Sequence, residues 1–208
     1  MHFNYICIEG NIGIGKTTLV KKLAAHFNAN AFYEEFDENP WLPLFYENPK
    51  ETAFAVELSF LTDRNKQLKK IGKIQSSKTL FSDYSIDKCL LFTEINLSPD
   101  DFEQYKKLHQ IVSKTVDTPQ LVIVIHSTTD NLLANIKQRG RSYEQNMQAS
   151  YLEKLNKAYK QFFEEEKPYH ILNIFTEDLN EKKYDEIFHE IVSFLQVKPV
   201  KKITSLKL

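Results

Sequence analysis

The sequence predicts an α/β chain of three layers, α/β/α, built around a central parallel sheet. Three observations carry that prediction. A short apolar run, Tyr5 to Ile8, stands directly before a glycine-rich turn and a helix-patterned segment. Strand-like and helix-like segments then alternate along the chain. The clearest apolar strand, Leu121 to Ser127, lies between helical patterns on either side. Strands covered by helices on both faces read as short continuous apolar runs, and alternation with helices places them parallel.

The elements follow in order. After the first strand, Thr17 to Phe27 places Leu19, Val20, Leu23, Ala24 and Phe27 on one helical face. Ala31 to Glu34 reads as a second strand, followed by a loop over 35–45 that is broken by Pro40 and Pro43. Thr52 to Lys70 reads as a long helix with Phe54, Leu58, Leu61 and Leu68 on its apolar side. Thr79 to Ser85 is a short apolar strand that ends in polar residues, where catalytic side chains sit in such sheets. Ser98-Pro99 has the form of an N-cap with proline at the first helical position, opening a helix to about Thr115. Beyond the strand at 121–127, a helix from about Asp130 leads to the polar stretch 138–145 and a second helix from Ser150 to Glu166. His170 to Phe175 is the last strand read from the sequence. Lys182 to Leu195 closes the unit, with Tyr184, Ile187, Ile191 and Leu195 facing inward.

The 208 residues suffice for one core, and one domain is expected over 1–198. The basic, weakly patterned stretch 199–208 is expected to be a frayed tail. A formal net charge of −1 gives no electrostatic case for nucleic acid or an acidic membrane as partner. Cys7 and Cys89 have no metal or redox spacing and are expected to be buried, as suits a reducing cytoplasm. No leader and no apolar run of membrane-spanning length is seen.

Gly10-Asn11-Ile12-Gly13-Ile14-Gly15-Lys16-Thr17, followed by Thr18, matches G-x-x-x-x-G-K-[ST] in full and joins a strand to a helix N-terminus. In that context the backbone N–H groups of the turn point at phosphate oxygens, and the helix dipole favours negative charge there. Lys16 is expected to reach the β- and γ-phosphates of ATP, and Thr17 to hold Mg²⁺ through its hydroxyl. Neither an N-K-x-D guanine reader nor a D-x-x-G switch is present, and the only glycines outside the turn are Gly72 and Gly140. Instead, Arg139 and Arg141 bracket Gly140 just after a helix. Guanidinium groups on a closing lid stabilise charge that develops during phosphoryl transfer and exclude water, the competing acceptor. The fold class expected is thus a P-loop kinase fold with an arginine-bearing lid.

With these motifs, the chain resembles the deoxynucleoside kinases of the P-loop superfamily, specifically their bacterial deoxyadenosine/deoxyguanosine kinase-like branch. The resemblance runs from IEGNIGIGKTT through YEEFDENPW and FYENPKETAFAVELSFLTDR to RGRSYEQNMQASYLEKLNKAY, nearly the whole chain. It implies transfer of the γ-phosphoryl of ATP to the 5′-hydroxyl of a deoxynucleoside, with purines preferred and deoxyadenosine first, in nucleotide salvage by a homodimer. It assigns Glu34 as general base, with the adjacent Glu35 as the alternative. Tyr46, eleven residues before Glu57 and eighteen before Arg64, opens the tract that reads sugar and base. Tyr46 and Glu144 would hold the 3′-hydroxyl, and Glu57 and Arg64 would meet the base.

The chain departs from the family pattern in two places. Glu57 stands where many members have glutamine; a carboxylate only accepts hydrogen bonds unless protonated, so the base preference does not carry over. Ser82-Asp83-Tyr84 replaces a common Glu-Arg-Ser, so Asp83 is expected in the Mg²⁺ shell, and Lys88 either restores the missing positive charge or is a solvated lysine. Two other functions fit the same P-loop: a monophosphate kinase of thymidylate-kinase type, which needs further cations for the acceptor phosphate, and a non-catalytic ATP-binding regulatory module.

Overall fold

The computed structural model describes residues 2–35, 39–71, 78–197 and 199–208; Gly72 and the expected domain boundary at 198 lie outside them, as do residues 36–38 of the proline-broken loop. The described strands are β1 (Tyr5–Gly10), β2 (Asn30–Phe32), β3 (Leu80–Ser82), β4 (Leu121–His126), β5 (His170–Phe175) and β6 (Ile203–Lys207). They form one sheet in the order β2-β3-β1-β4-β5-β6, with every pair parallel. The helices are α1 (Lys16–His26), α2 (Trp41–Glu47), α3 (Pro49–Leu68), α4 (Lys88–Asn96), α5 (Pro99–Ser113), α6 (Thr129–Arg139), α7 (Ala149–Glu164) and α8 (Glu181–Gln196).

Alternation along the strands divides the core between two faces. Ile6, Ile8, Ile123, Ile125, Leu172 and Ile174 pack with Leu19 and Leu23 of α1 and Ile187 and Ile191 of α8. On the other face Tyr5 and Leu80 pack with Leu61 of α3, Cys89 of α4 and Tyr105 of α5. Cys7, Val122, Val124 and Ile171 pack there with Leu91 of α4 and with Tyr159 and Phe163 of α7. This is the expected three-layer arrangement, and both cysteines are free and buried.

Several helix ends follow from local chemistry. The Oγ atoms of Ser98 and Thr128 and the Oδ1 of Asn180 accept from the backbone N–H groups of Asp101, Asn131 and Lys183, opening α5, α6 and α8. The long third helix begins at Pro49, one turn earlier than its apolar pattern, because proline suits a first helical position.

Three elements correct the sequence reading. The stretch read as a loop contains α2, since Pro43 lies in the first turn, where the missing N–H has no intrahelical acceptor to satisfy. The segment α4 buries Lys88, Cys89, Leu91 and Thr93, so it lacks the one-sided stripe that marks a helix. The tail expected to fray continues into β6, paired with β5 from Ile171↔Ile203 to Phe175↔Lys207, and 199–208 is no separate unit. An edge strand that covers an otherwise open ladder needs little apolar patterning.

The sheet brings the C-terminal end of β1 beside those of β3 and β4, and the chain leaves β1 toward β2 on one side while β4 leads to β5 on the other. Such a reversal opens a crevice beyond the strand ends. Gly10 ends β1 with φ 145°, and a Cβ there would lie 2.6 Å from the Ile125 carbonyl oxygen; Gly140, at φ 77°, ends α6 with nothing within 4 Å. Gly140→Ala is therefore expected to cost about 1 kcal/mol from left-handed strain alone. Gly10→Ala, strained and in collision with backbone, is expected to cost about 3 kcal/mol or more. Urea denaturation of the two variants measures the difference, and equal losses would contradict it.

Candidate active site

A cavity of about 760 Å³ opens at this crevice, and Gly13, Gly15, Lys16, Thr17 and Thr18 line one side of it together with Ile12. Gly10, Asn11 and Ile14 of the same motif are not among its lining residues. Ile14 is buried in the core, and the Asn11 amide donates to the Leu152 carbonyl at 2.9 Å and to Asn156 Oδ1 at 2.8 Å. Asn135 of α6 donates to the Gly13 carbonyl at 2.8 Å, and the Tyr184 hydroxyl of α8 donates to that of Gly15. Thus α6, α7 and α8 each hold the turn in shape. Nothing in the motif's spacing identifies these anchors, because they act across the fold.

The Lys16 ammonium donates to the carbonyls of Gly10, at 2.8 Å, and Asn11, at 3.0 Å. Burial, and then the neighbouring Lys88 charge, lower its pKa to about 8. The Thr17 hydroxyl donates to Asp83 Oδ2 at 2.6 Å, and Asp83 Oδ1 accepts the Glu34 backbone N–H at 2.8 Å. Asp83 follows β3 directly, so one carboxylate joins the P-loop to the chain that carries Glu34.

β2 ends at Phe32, short of the predicted Glu34, so the Asp83 hydrogen bond, not strand pleating, sets the orientation at 34. Glu34 is turned into the cavity. Its Oε1 takes Nε and Nη2 of Arg64 at 2.8 and 2.6 Å, and its Oε2 takes the Lys88 ammonium at 2.6 Å. Burial alone would raise this carboxyl, but Arg64 and then Lys88 pull it down to about 2. Glu35 is largely exposed, 3.7 Å from Lys70, and separates from Glu34 accordingly. Arg64 also directs Nη1 to Cys89 Sγ at 3.1 Å and lies 4.7 Å over the Phe60 ring, so its fork is committed to Glu34 and the wall behind it. Lys88, buried at the base of α4, is not a solvated lysine.

Farther along α3, Glu57 is 2% exposed. Its Oε1 accepts from the Asn96 amide at 2.7 Å, whereas Oε2 has no hydrogen-bond partner. Burial pushes this carboxyl up to about 7, against the lowering effects of Asn96, Arg64 and Lys88. Asn96, at the end of α4, escaped the sequence reading because a terminal helical asparagine looks like a cap.

The segment after α6 folds over the cavity. Gly140 stops the helix, and a short 3₁₀ turn over Ser142–Glu144 returns the chain. Glu144 pairs with Arg139 through Oε2 and with Arg141 through Oε1, the latter at 3.5 Å. Tyr143 stacks on Tyr46 with centroids 5.9 Å apart, and burial, then Tyr151 and Glu144, drive the Tyr46 phenol well above its ordinary pKa. The structure therefore gathers Lys16, Thr17, Glu34, Tyr46, Glu57, Arg64, Asp83, Arg139, Arg141 and Glu144 around one cavity.

A family model described as deoxynucleoside kinase matches residues 6–196. The chain is 37% identical over 158 residues to a deoxyguanosine kinase of Bacillus subtilis, a match covering 75% of this chain and 76% of that one. It is 36% identical over 150 residues to a deoxyadenosine kinase of Lactobacillus acidophilus, covering 67% and 68%. Among solved structures, a deoxyadenosine kinase from M. mycoides with bound dCTP aligns with a TM-score of 0.76 at 25% identity, covering 91% of this chain and 99% of that one.

The raised Glu57 carboxyl has a consequence for stability. A carboxyl whose pKa rises on folding takes up a proton between its unfolded and folded values, so stability falls as pH rises across that window, from about 4.5 to about 7. Glu57→Gln removes the ionisation and keeps an oxygen for Asn96. Its stability relative to the parent chain is expected to climb through that window by an amount on the order of 3 kcal/mol. Denaturation at a series of pH values measures this, and a pH-independent difference would contradict it.

Proposed function

The chain belongs to the deoxynucleoside kinase family, and on that premise we propose that it transfers the γ-phosphoryl group of ATP to the 5′-hydroxyl of a purine deoxynucleoside. The observation that carries the reading is the buried Glu34 carboxylate, held by Arg64 and Lys88 and linked through Asp83 to the P-loop threonine. An acceptor hydroxyl at Glu34 faces phosphates cradled by the loop, which is the proximity that in-line transfer requires.

In this mechanism the P-loop N–H groups and Lys16 bind the β- and γ-phosphates. Thr17 and Asp83 present hard oxygen donors 2.6 Å apart, which suits Mg²⁺ because this ion takes one or two protein oxygens and completes its shell with phosphate and water. When bound, Mg²⁺ would supply charge neutralisation at the phosphates. Glu34 accepts the hydrogen bond of the 5′-hydroxyl and aims its oxygen at the γ-phosphorus. The new O–P bond forms as the bond to the β-γ bridging oxygen breaks, and the proton passes to Glu34. A carboxylate held near pKa 2 is a weak base, so the proton leaves late, after bonding to phosphorus has made the hydroxyl acidic. A loose transition state tolerates that order.

Lys88 takes the place of the cation that the family commonly carries on the third strand. Arg64 acts as a positioning residue for Glu34 more than as a base contact. Tyr46 and Glu144 hold the 3′-hydroxyl, and because Glu144 also pairs with Arg139 and Arg141, sugar binding and lid closure share one carboxylate. A monophosphate acceptor fits less well, since Arg64 and Lys88 are already bound to Glu34.

The reading extends to a cytoplasmic homodimer. The dimer is supported by exposed Leu108 and Ile111, one turn apart on α5. No described helix is long and apolar enough to cross a membrane. Sedimentation equilibrium is expected to give twice the chain mass, and Ile111→Glu to shift it toward the monomer; a monomeric parent chain would overturn this part.

Product-resolved assays with Mg·ATP are expected to convert deoxyadenosine and deoxyguanosine to 5′-monophosphates, with ribonucleosides and deoxythymidine monophosphate much poorer. Glu34→Gln is expected to lower kcat about a hundredfold or more, and Lys88→Met about tenfold or more with a small change in the KM for ATP. Circular dichroism verifies the folded state, since a buried cation left unpaired destabilises. Turnover of a folded Glu34→Gln within a few-fold of the parent would overturn the assignment.

A further inference from the structure

Glu57 lies seven residues before Arg64 on α3, so it stands about 10 Å along the helix axis from the residue that holds Glu34. That span fits one nucleoside with its 5′-hydroxyl at Glu34. Phe45, Phe60, Phe92 and Tyr151 line the same cavity as Glu57 and present flat apolar surfaces that accommodate a planar base. In this slot the one buried side-chain oxygen without a hydrogen-bond partner, among the described residues, is Glu57 Oε2. A buried polar atom left unpaired is costly, and a base edge supplies the missing partner.

The neighbouring amide fixes which oxygen carries the chemistry. Asn96 donates to Oε1 at 2.7 Å. Glu57 lines the cavity, and when its carboxyl is protonated the proton therefore resides on Oε2, the oxygen with no partner within the chain. We infer that Glu57 reads the base in two protonation states: as a neutral acid it donates from Oε2 to adenine N1 and accepts the N6 amino group at Oε1, and as a carboxylate it accepts N1–H and N2–H₂ of guanine. This rests on the deoxynucleoside kinase reading above. The hydrogen-bonding inventory requires the exchange, because a carboxylate opposite adenine N1 sets two acceptors face to face, and a neutral acid opposite guanine N1–H sets two donors face to face.

The setting allows both states. Facing Glu57 are Arg64 on its own helix, Lys88 and Cys89 of α4, Tyr105 of α5, whose hydroxyl donates to the Glu57 carbonyl, Tyr151 of α7, and Tyr46 of α2. The two cations favour the carboxylate but are spent largely on Glu34, and burial favours the acid, so the carboxyl titrates near about 7. The same enzyme thus offers two base-recognition surfaces within the physiological range.

The test is the ratio of kcat/KM for deoxyguanosine to that for deoxyadenosine, measured in competition from about pH 6 to 8. Other titrations of the free enzyme act on both substrates and cancel in the ratio. If each base binds one protonation state, the ratio rises about tenfold per pH unit wherever the pKa lies, and in Glu57→Gln it becomes independent of pH with both substrates still used. Calorimetry in buffers of different ionisation enthalpy is expected to show proton uptake on binding deoxyadenosine near pH 8 and proton release on binding deoxyguanosine near pH 6. A pH-flat ratio in the parent enzyme with good turnover, or a slope that survives in Glu57→Gln, overturns the inference alone. Absence of product from every nucleoside overturns the kinase reading and this inference with it.

Discussion

The site depends on a buried cluster in which one carboxylate is held by two cations. Glu34, Arg64 and Lys88 are 8%, 4% and 10% exposed in their side chains, and removing such groups from water costs several kcal/mol each unless their hydrogen bonds are made. Here they are made: both Glu34 oxygens are occupied, and the guanidinium is completed by Cys89 and Phe60. The three residues come from a loop, from the C-terminal part of α3 and from the start of α4, so the ion cluster forms only when these pieces assemble. Replacing it by apolar residues would commonly stabilise a fold, which makes its presence in a cavity beside a P-loop an argument for chemistry.

A second buried carboxylate organises the floor. Glu9, directly before the glycine-rich turn, accepts both the N–H and the hydroxyl of Ser85 at 2.9 Å, and burial raises its pKa. It therefore ties β1 to the segment that carries Asp83, while Asp83 reaches back to Thr17. With the asparagine contacts from α6 and α7, the glycine-rich turn is fixed from beneath and from the side. Preorganised dipoles of this kind need little rearrangement when charge develops.

The lid has a different character. Arg139 and Arg141 are about one-third and one-quarter exposed in their side chains, and they meet Glu144 across a turn that begins at a left-handed glycine. A carboxylate that holds both arginines gives them a defined position. The same carboxylate faces Tyr46, so the arginine-bearing segment and the wall that carries Tyr46 meet at one residue.

Local patterns were enough to read β1, α1, β4, α6, α7, β5 and α8, because each carries an apolar stripe or run at its own period, and the cap at Ser98 is a signal of one or two residues. The P-loop was legible for the same reason: its chemistry is in the backbone of eight consecutive residues. The buried face of α3 mixes Val56, Leu61 and Leu68 with Glu57, Arg64 and Gln67, and the expected Phe54 and Leu58 are only partly buried. The amphipathic period failed for α4, buried on several sides, and for β6, whose role is to cover an edge. Separation in the chain hid the rest. Glu34 and Glu35 are indistinguishable as neighbours in sequence and differ because Asp83 grips the backbone N–H of one while Gln67 holds the N–H and carbonyl of the other. Lys88 could be solvated or functional until Glu34 was found beside it, and Asn96 had no meaning until it met Glu57. Periodicity and contiguous residues suffice for the architecture and for the glycine-rich turn. The pairing and protonation of the buried carboxylates were decided only in the tertiary structure, because desolvation and partner charges arise from atoms that folding brings together.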